Sequence, residues 1–98
     1  MQWAAVKILV MGGTRFVGKP LVARLQAQGH ELTLFTRGKN PVPSGVEHLS
    51  GDRSSVEGLT ALQGRRFDVI IDSSGRTLED SSRVISLTGA PSHRFVYV

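Results

Sequence analysis

Cysteine is absent from the 98 residues, which excludes disulfides, thiol catalysis and thiolate metal ligands. The fold must rest on packing alone. No apolar run approaches the roughly 20 residues needed to cross a bilayer, and Met1-Gln2-Trp3 leads almost at once into an apolar strand pattern rather than forming a charged leader. A cytoplasmic protein with no membrane partner is the expectation. Aromatic residues are scarce, at 6%, so the stacked aromatic surface that grips single-stranded RNA is not visible. His30, His48 and His93 lie in or beside turns and a short strand without metal-like spacing, so no metal ligand and no catalytic residue is assigned. The surplus of twelve Lys/Arg over eight Asp/Glu gives a net charge of +4. That surplus suits anionic partners, and it also describes many ordinary soluble domains.

What is present is a chain with 40% apolar and 20% charged residues, enough for one compact domain, 1–98, with a modest core. Short apolar runs alternate with helical patterns, which implies parallel βαβ units. Val6 to Met11 is almost continuously apolar, as expected of a strand covered on both faces. Val17, Leu21, Val22 and Leu25 then recur at helical spacing, from a start at Arg15 or Phe16 to a stop at Gly29. Pro20 falls early enough in that helix to be tolerated. Further strands are expected at Glu31–Thr36, Val46–Leu49, Phe67–Asp72 and from Arg94 to Val98. Ser54-Ser55-Val56-Glu57 reads as a capping box opening a helix whose buried stripe is Val56, Leu59 and Leu62. Thr77 to Leu87 reads as a third helix, stopped by Gly89 and Pro91. The predicted architecture is a doubly wound, Rossmann-like α/β sheet of strand order 3-2-1-4-5, with a ligand crossing the switch point between strands 1 and 4.

Most functional information sits in Met11-Gly12-Gly13-Thr14-Arg15-Phe16-Val17-Gly18. A strand must reverse there within a few residues while backbone amides and a helix N-terminus face a phosphate. Gly12 suits the tight turn, Gly13 leaves the backbone room, and Gly18 lets the helix approach the sheet. The pattern also satisfies a nucleoside-triphosphate loop up to its last position, where Pro20 replaces the hydroxyl that ligates magnesium. Past the second strand, Thr36-Arg37-Gly38-Lys39 carries no carboxylate to bind both ribose hydroxyls. Arg37 and Lys39 are suited to a 2′-phosphate, so NADP is favoured over NAD. Asp72 followed by Ser73, at a strand end, either caps the next loop or faces a ligand.

The turn GGTRFVG, the run HELTLFTRGK and the tetrapeptide SGDR together resemble the extended or atypical short-chain dehydrogenase/reductase superfamily. Within it, the resemblance is to the NAD-dependent epimerase/dehydratase-like branch that contains the chloroplast stem-loop RNA-binding proteins and their cyanobacterial relatives. It runs from Lys7 to Val98. It implies that Gly13 to Val17 line the pyrophosphate, that Asp52, with Arg53 beside it, meets the adenine amino group, and that Ser73, Ser74 and Gly75 pass beside the cofactor. Arg15 departs from the family by replacing its middle glycine; it either adds a cation to the phosphates or narrows the site. The family's Tyr-x-x-x-Lys pair lies beyond the strand that starts at Arg94, and Tyr97 is not its counterpart. The expectation is therefore an NAD(P)-binding domain that is inactive alone. Two other readings stay open: an RNA-binding module using basic residues such as Arg15, Arg37, Lys39, Arg53, Arg65 and Arg66, and a folded fragment that binds little. A free outer edge on the last strand further suggests self-association.

Overall fold

The computed structural model describes residues 5–12, 18–38, 42, 44–73 and 77–97. The elements run β1 (Lys7–Met11), α1 (Gly18–Ala27), β2 (Glu31–Thr36), β3 (Glu47–Ser50), a 3₁₀ helix (Glu57–Leu62), β4 (Val69–Asp72), α2 (Leu78–Thr88) and β5 (Arg94–Tyr97). The strands form one sheet of order β3-β2-β1-β4-β5 with parallel pairing throughout. The order predicted from sequence is the one observed.

Alternation along the strands divides the core between the two faces. Ile8 and Val10 of β1 join Val22 of α1, Leu32 and Leu34 of β2 and Ile71 of β4 on one face. Leu9 and Met11 join Phe35, Leu59, Leu62, Phe67, Ile70 and Val84 on the other, beneath the 3₁₀ helix and α2. Most of these side chains are inaccessible to solvent, and each fully buried one contributes about 1.5–3 kcal/mol. The near-continuous apolar character of β1 follows from its central position.

Glycines end the helices as the sequence suggests: Gly29 and Gly89 have φ of 85° and 75°, a region most side chains avoid. The predicted start of the first helix, at Arg15 or Phe16, lies outside the described residues. The second helical segment differs from expectation. The Ser54 amide and hydroxyl both donate to Asp52 Oδ1, at 2.9 and 2.6 Å, so Ser54 forms no capping box. Val56 occupies the N-cap position without a side-chain bond and is half exposed, while the Gly58 amide donates to Ser55 Oγ at 3.0 Å. Six residues with apolar side chains at Leu59 and Leu62 suit a 3₁₀ helix, because positions i and i+3 eclipse there and both leucines reach the core. A reciprocal capping box does form at α2, between Thr77 and Asp80, at 3.2 and 3.3 Å.

Candidate functional site

Because all five strands are parallel, their C-terminal ends share one edge, and the chain leaves β1 to opposite sides of the sheet. In open parallel sheets the ligand crevice lies outside the strand ends at such a reversal, which here falls between β1 and β4. At the end of β1, Gly12 has φ of 101° and its amide donates to Phe35 O at 2.8 Å. A side chain would be strained at that backbone angle. On the β4 side, the Ser73 amide and hydroxyl both donate to Met11 O, at 3.1 and 2.8 Å. The ends of β1, β2 and β4 are thus tied together before any ligand is considered.

On the β2 side, Thr36 Oγ1 accepts the Gly38 amide at 2.9 Å and lies 2.6 Å from His48 Nε2. The Gly51 amide donates to Thr36 O at 3.0 Å. Thr36 therefore shapes the turn after β2, Gly38 enters it with φ of 82°, and Arg37 stands exposed on it. Among the described residues no carboxylate comes within ion-pair distance of Arg37. Asp52 is exposed beyond β3; its bonds from Ser54, and then the charges of Arg37 and Arg83, hold its carboxyl below the usual range. Among the described residues Asp52 Oδ2 accepts no bond.

Sequence reading missed the charged network directly behind this edge. Asp72, in register with Met11, is fully buried on the face shared with Ile70. It accepts bonds from Arg53 Nη1 and Nη2, at 2.6 and 2.9 Å, and from Ser81 Oγ at 2.9 Å. Arg83 Nη1 donates to Arg53 O at 3.0 Å and to Asp80 Oδ1 at 3.1 Å. An acidic residue closing an apolar parallel strand was the available signal, but nothing local names partners 19 residues back or 9 residues on.

Of the residues expected at the site, Gly12, Gly18, Thr36, Arg37, Asp52, Arg53 and Ser73 follow or close the strands at this edge or open α1. Arg53 turns its guanidinium to Asp72. Gly13, Thr14, Arg15, Phe16, Val17, Lys39, Ser74 and Gly75 lie outside the described residues. A surface groove of about 520 Å³ lies at the opposite edge, among Lys7, Glu31, Glu47, Arg65, Arg66 and Phe67. Its charges are mixed, and Arg65 is bound to Glu47 at 2.5 and 3.3 Å while lying over the Phe67 ring at 5.6 Å. That groove lies away from the C-terminal strand ends, outside which open parallel sheets bind their ligands. No helix among the described residues is long and apolar enough to cross a membrane, and no group of three or more metal-ligating side chains occurs among them.

Residues 8–86 match the model of the NAD dependent epimerase/dehydratase family. The chain is 38% identical, over an alignment of 95 positions, to the chloroplast stem-loop binding protein of 41 kDa b of Arabidopsis thaliana, covering 81% of this chain and 25% of that one. It is 36% identical over 75 positions to the dTDP-6-deoxy-L-talose 4-dehydrogenase (NAD(P)(+)) of Kitasatospora kifunensis, covering 74% and 24%. A solved structure described as an NAD-dependent epimerase/dehydratase from Methylobacillus flagellatus superposes with a TM-score of 0.77 at 28% identity, over 96% of this chain and 37% of that one. The chain spans about a quarter of the length of these curated relatives.

Proposed function

The chain belongs to the NAD dependent epimerase/dehydratase family, and from that premise we propose that it binds a nicotinamide dinucleotide along the strand-end crevice, NADP(H) in preference to NAD(H). The observation that carries the preference is the Thr36–Gly38 turn, which leaves Arg37 exposed and has no carboxylate among its own residues. A 2′-phosphate accepts charge-assisted bonds from a guanidinium, whereas the acidic residue that selects NAD is missing. In this reading Gly12 and the turn 13–17 hold the pyrophosphate, Lys39 assists Arg37, and Asp52 Oδ2 accepts from the adenine amino group. Ser73 to Gly75 flank the cofactor's middle. When bound, the dinucleotide supplies hydride chemistry. The residues assigned here bind and orient it, and a general acid and base for turnover are not among them.

Calorimetric titration of the chain with NADPH and NADH tests the reading. One charged hydrogen bond contributes about 1.5–3 kcal/mol, so NADPH should bind roughly ten- to a hundred-fold more tightly. Arg37→Ala should remove most of that difference and leave NADH nearly unchanged. Equal affinities in the parent chain, or a preference that survives the loss of Arg37, would refute the assignment of this turn.

The resemblance to stem-loop binding proteins raises RNA as another ligand, but the cations among the described residues do not form one surface. Arg65 and Arg66 border the N-terminal edge and Arg37 follows the C-terminal end of β2, while Arg53 and Arg65 are bound to carboxylates. A short RNA titrated at low salt, where phosphate contacts are strongest, is therefore the control ligand. Self-association would use the outer edge of β5, which pairs with β4 alone among the described residues; sedimentation across a concentration series measures it.

A further inference from the structure

Asp72 is the one carboxylate with no solvent exposure among the described residues. Packing does not require it, since position 72 shares its face with Met11 and Ile70, where an apolar side chain would fit. Stability does not explain it either, because desolvating a buried ion pair offsets most of the attraction, and apolar replacements of similar volume are often neutral. The consequence of the pair is geometric. Arg53 adjoins Asp52 in the turn after β3, and Asp72 adjoins Ser73, whose two bonds to Met11 O hold the end of β4 to the end of β1. The 52–54 turn is thus tied to β4 through the Arg53 side chain. It is tied to α2 through the Arg53 carbonyl, held by Arg83, which Asp80 orients one helical turn away. Ser81 adds a third attachment from α2 to Asp72.

We propose that Arg53, Asp72 and Arg83 are positioning residues that form a strut anchored on the buried Asp72, fixing the Asp52 carboxylate relative to the crevice so that it meets the adenine amino group without reorganisation. The strut rests on the dinucleotide reading above. It makes adenine recognition depend on residues that touch no part of the ligand. Preorganisation of this kind matters because a displacement of about 1 Å can abolish a directional hydrogen bond.

The test uses NADPH and its hypoxanthine analogue, which carries a carbonyl where adenine has the amino group. Arg83→Met removes the clamp on the Arg53 carbonyl, keeps an apolar stem and leaves the buried pair intact. The double variant Arg53→Met/Asp72→Leu replaces the pair without leaving a charge buried. Calorimetry gives the affinity ratio of the two ligands, and thermal unfolding shows that each variant folds. In the parent chain a bond to a carboxylate should favour NADPH by about tenfold or more. Both variants should lower that ratio to near one by losing NADPH affinity, with binding of the hypoxanthine analogue little changed. An unchanged ratio in folded Arg83→Met overturns the strut even where the double variant fails to fold. A parent chain that binds both ligands equally also overturns it and leaves the dinucleotide reading standing. A parent chain that binds neither overturns both.

Discussion

Gly58→Ala opposes local preference to tertiary contact, with opposite signs expected. Gly58 is in the 3₁₀ helix and its φ is not positive, so alanine fits the backbone and, by restricting the unfolded chain, should stabilise by about 0.4–1 kcal/mol. The surroundings forbid it. A Cβ at Gly58 would lie 1.9 Å from Asp52 O, 2.7 Å from Asp52 C and 2.9 Å from Asp52 N, and a Cβ at Gly51 would lie 2.0 Å from Gly58 O. Real Cβ atoms essentially never approach within 3.0 Å, so the two backbone segments would have to part by about 1 Å. The helix that moves carries Leu59 and Leu62, both fully buried, so the shift also opens the core beneath it. Overpacking costs about 1–3 kcal/mol, and the loosened leucines place the expected loss near the upper end. For a domain of this size each kcal/mol lowers Tm by roughly 4–8 °C, so a fall of about 8 °C or more is expected. Gly64→Ala is the control: no atom lies within 4 Å of its Cβ, and only φ of 76° opposes the change. Circular dichroism melts of both variants decide the matter. If Gly58→Ala melts at or above the parent, or falls no further than Gly64→Ala, the close approach of the two segments is not real.

Asp72→Ala leaves the Arg53 guanidinium, 12% exposed, without its carboxylate, and should cost about 3–5 kcal/mol in urea unfolding, whereas Arg53→Met/Asp72→Leu should stay close to the parent. Equal losses in the two would contradict the account of the pair. Acid should weaken the fold: the Ser92 hydroxyl and the Lys7 amide hold the Asp68 carboxyl below its ordinary range, and Arg65 and then Thr33 do the same for Glu47. Carboxyls lowered in the folded state contribute stability that is complete above their unfolded value, about 4, and is lost as pH falls through the folded values. The urea midpoint should therefore hold from pH 7 to about 5 and drop below about 4, with a shallower drop in Asp68→Asn. Thr77→Ala removes the acceptor for the Asp80 amide and half of the reciprocal cap, for an expected loss of about 1 kcal/mol in the same assay.

The strands and their order were legible because the governing signals are short-range: apolar runs long enough for a buried parallel strand, and glycines at 29, 64 and 89 where the chain must take positive φ. β2 was readable to the residue, from Glu31 to Thr36, because alternation, length and a bounding glycine agree. The glycines that open the turns after β1 and β2 were likewise readable, since Gly12 and Gly38 take φ of 101° and 82° there. The segment after β3 was not. Leu59 and Leu62 satisfy both an α-helical and a 3₁₀ spacing, and Ser54-to-Glu57 has the letters of a capping box. The choice fell to Asp52, which takes both Ser54 donors, and to the contact between Gly51 and Gly58 that sets how tightly the segment lies against the sheet. The Arg53–Asp72–Ser81 network lay equally out of reach, since a carboxylate at a strand end is capped, solvated or ion-paired with the same neighbours in sequence. Only the folding of β4 and α2 against the turn after β3 removes water from Asp72 and brings a guanidinium to it, because burial and pairing are properties of distance in space that local residue pattern does not encode.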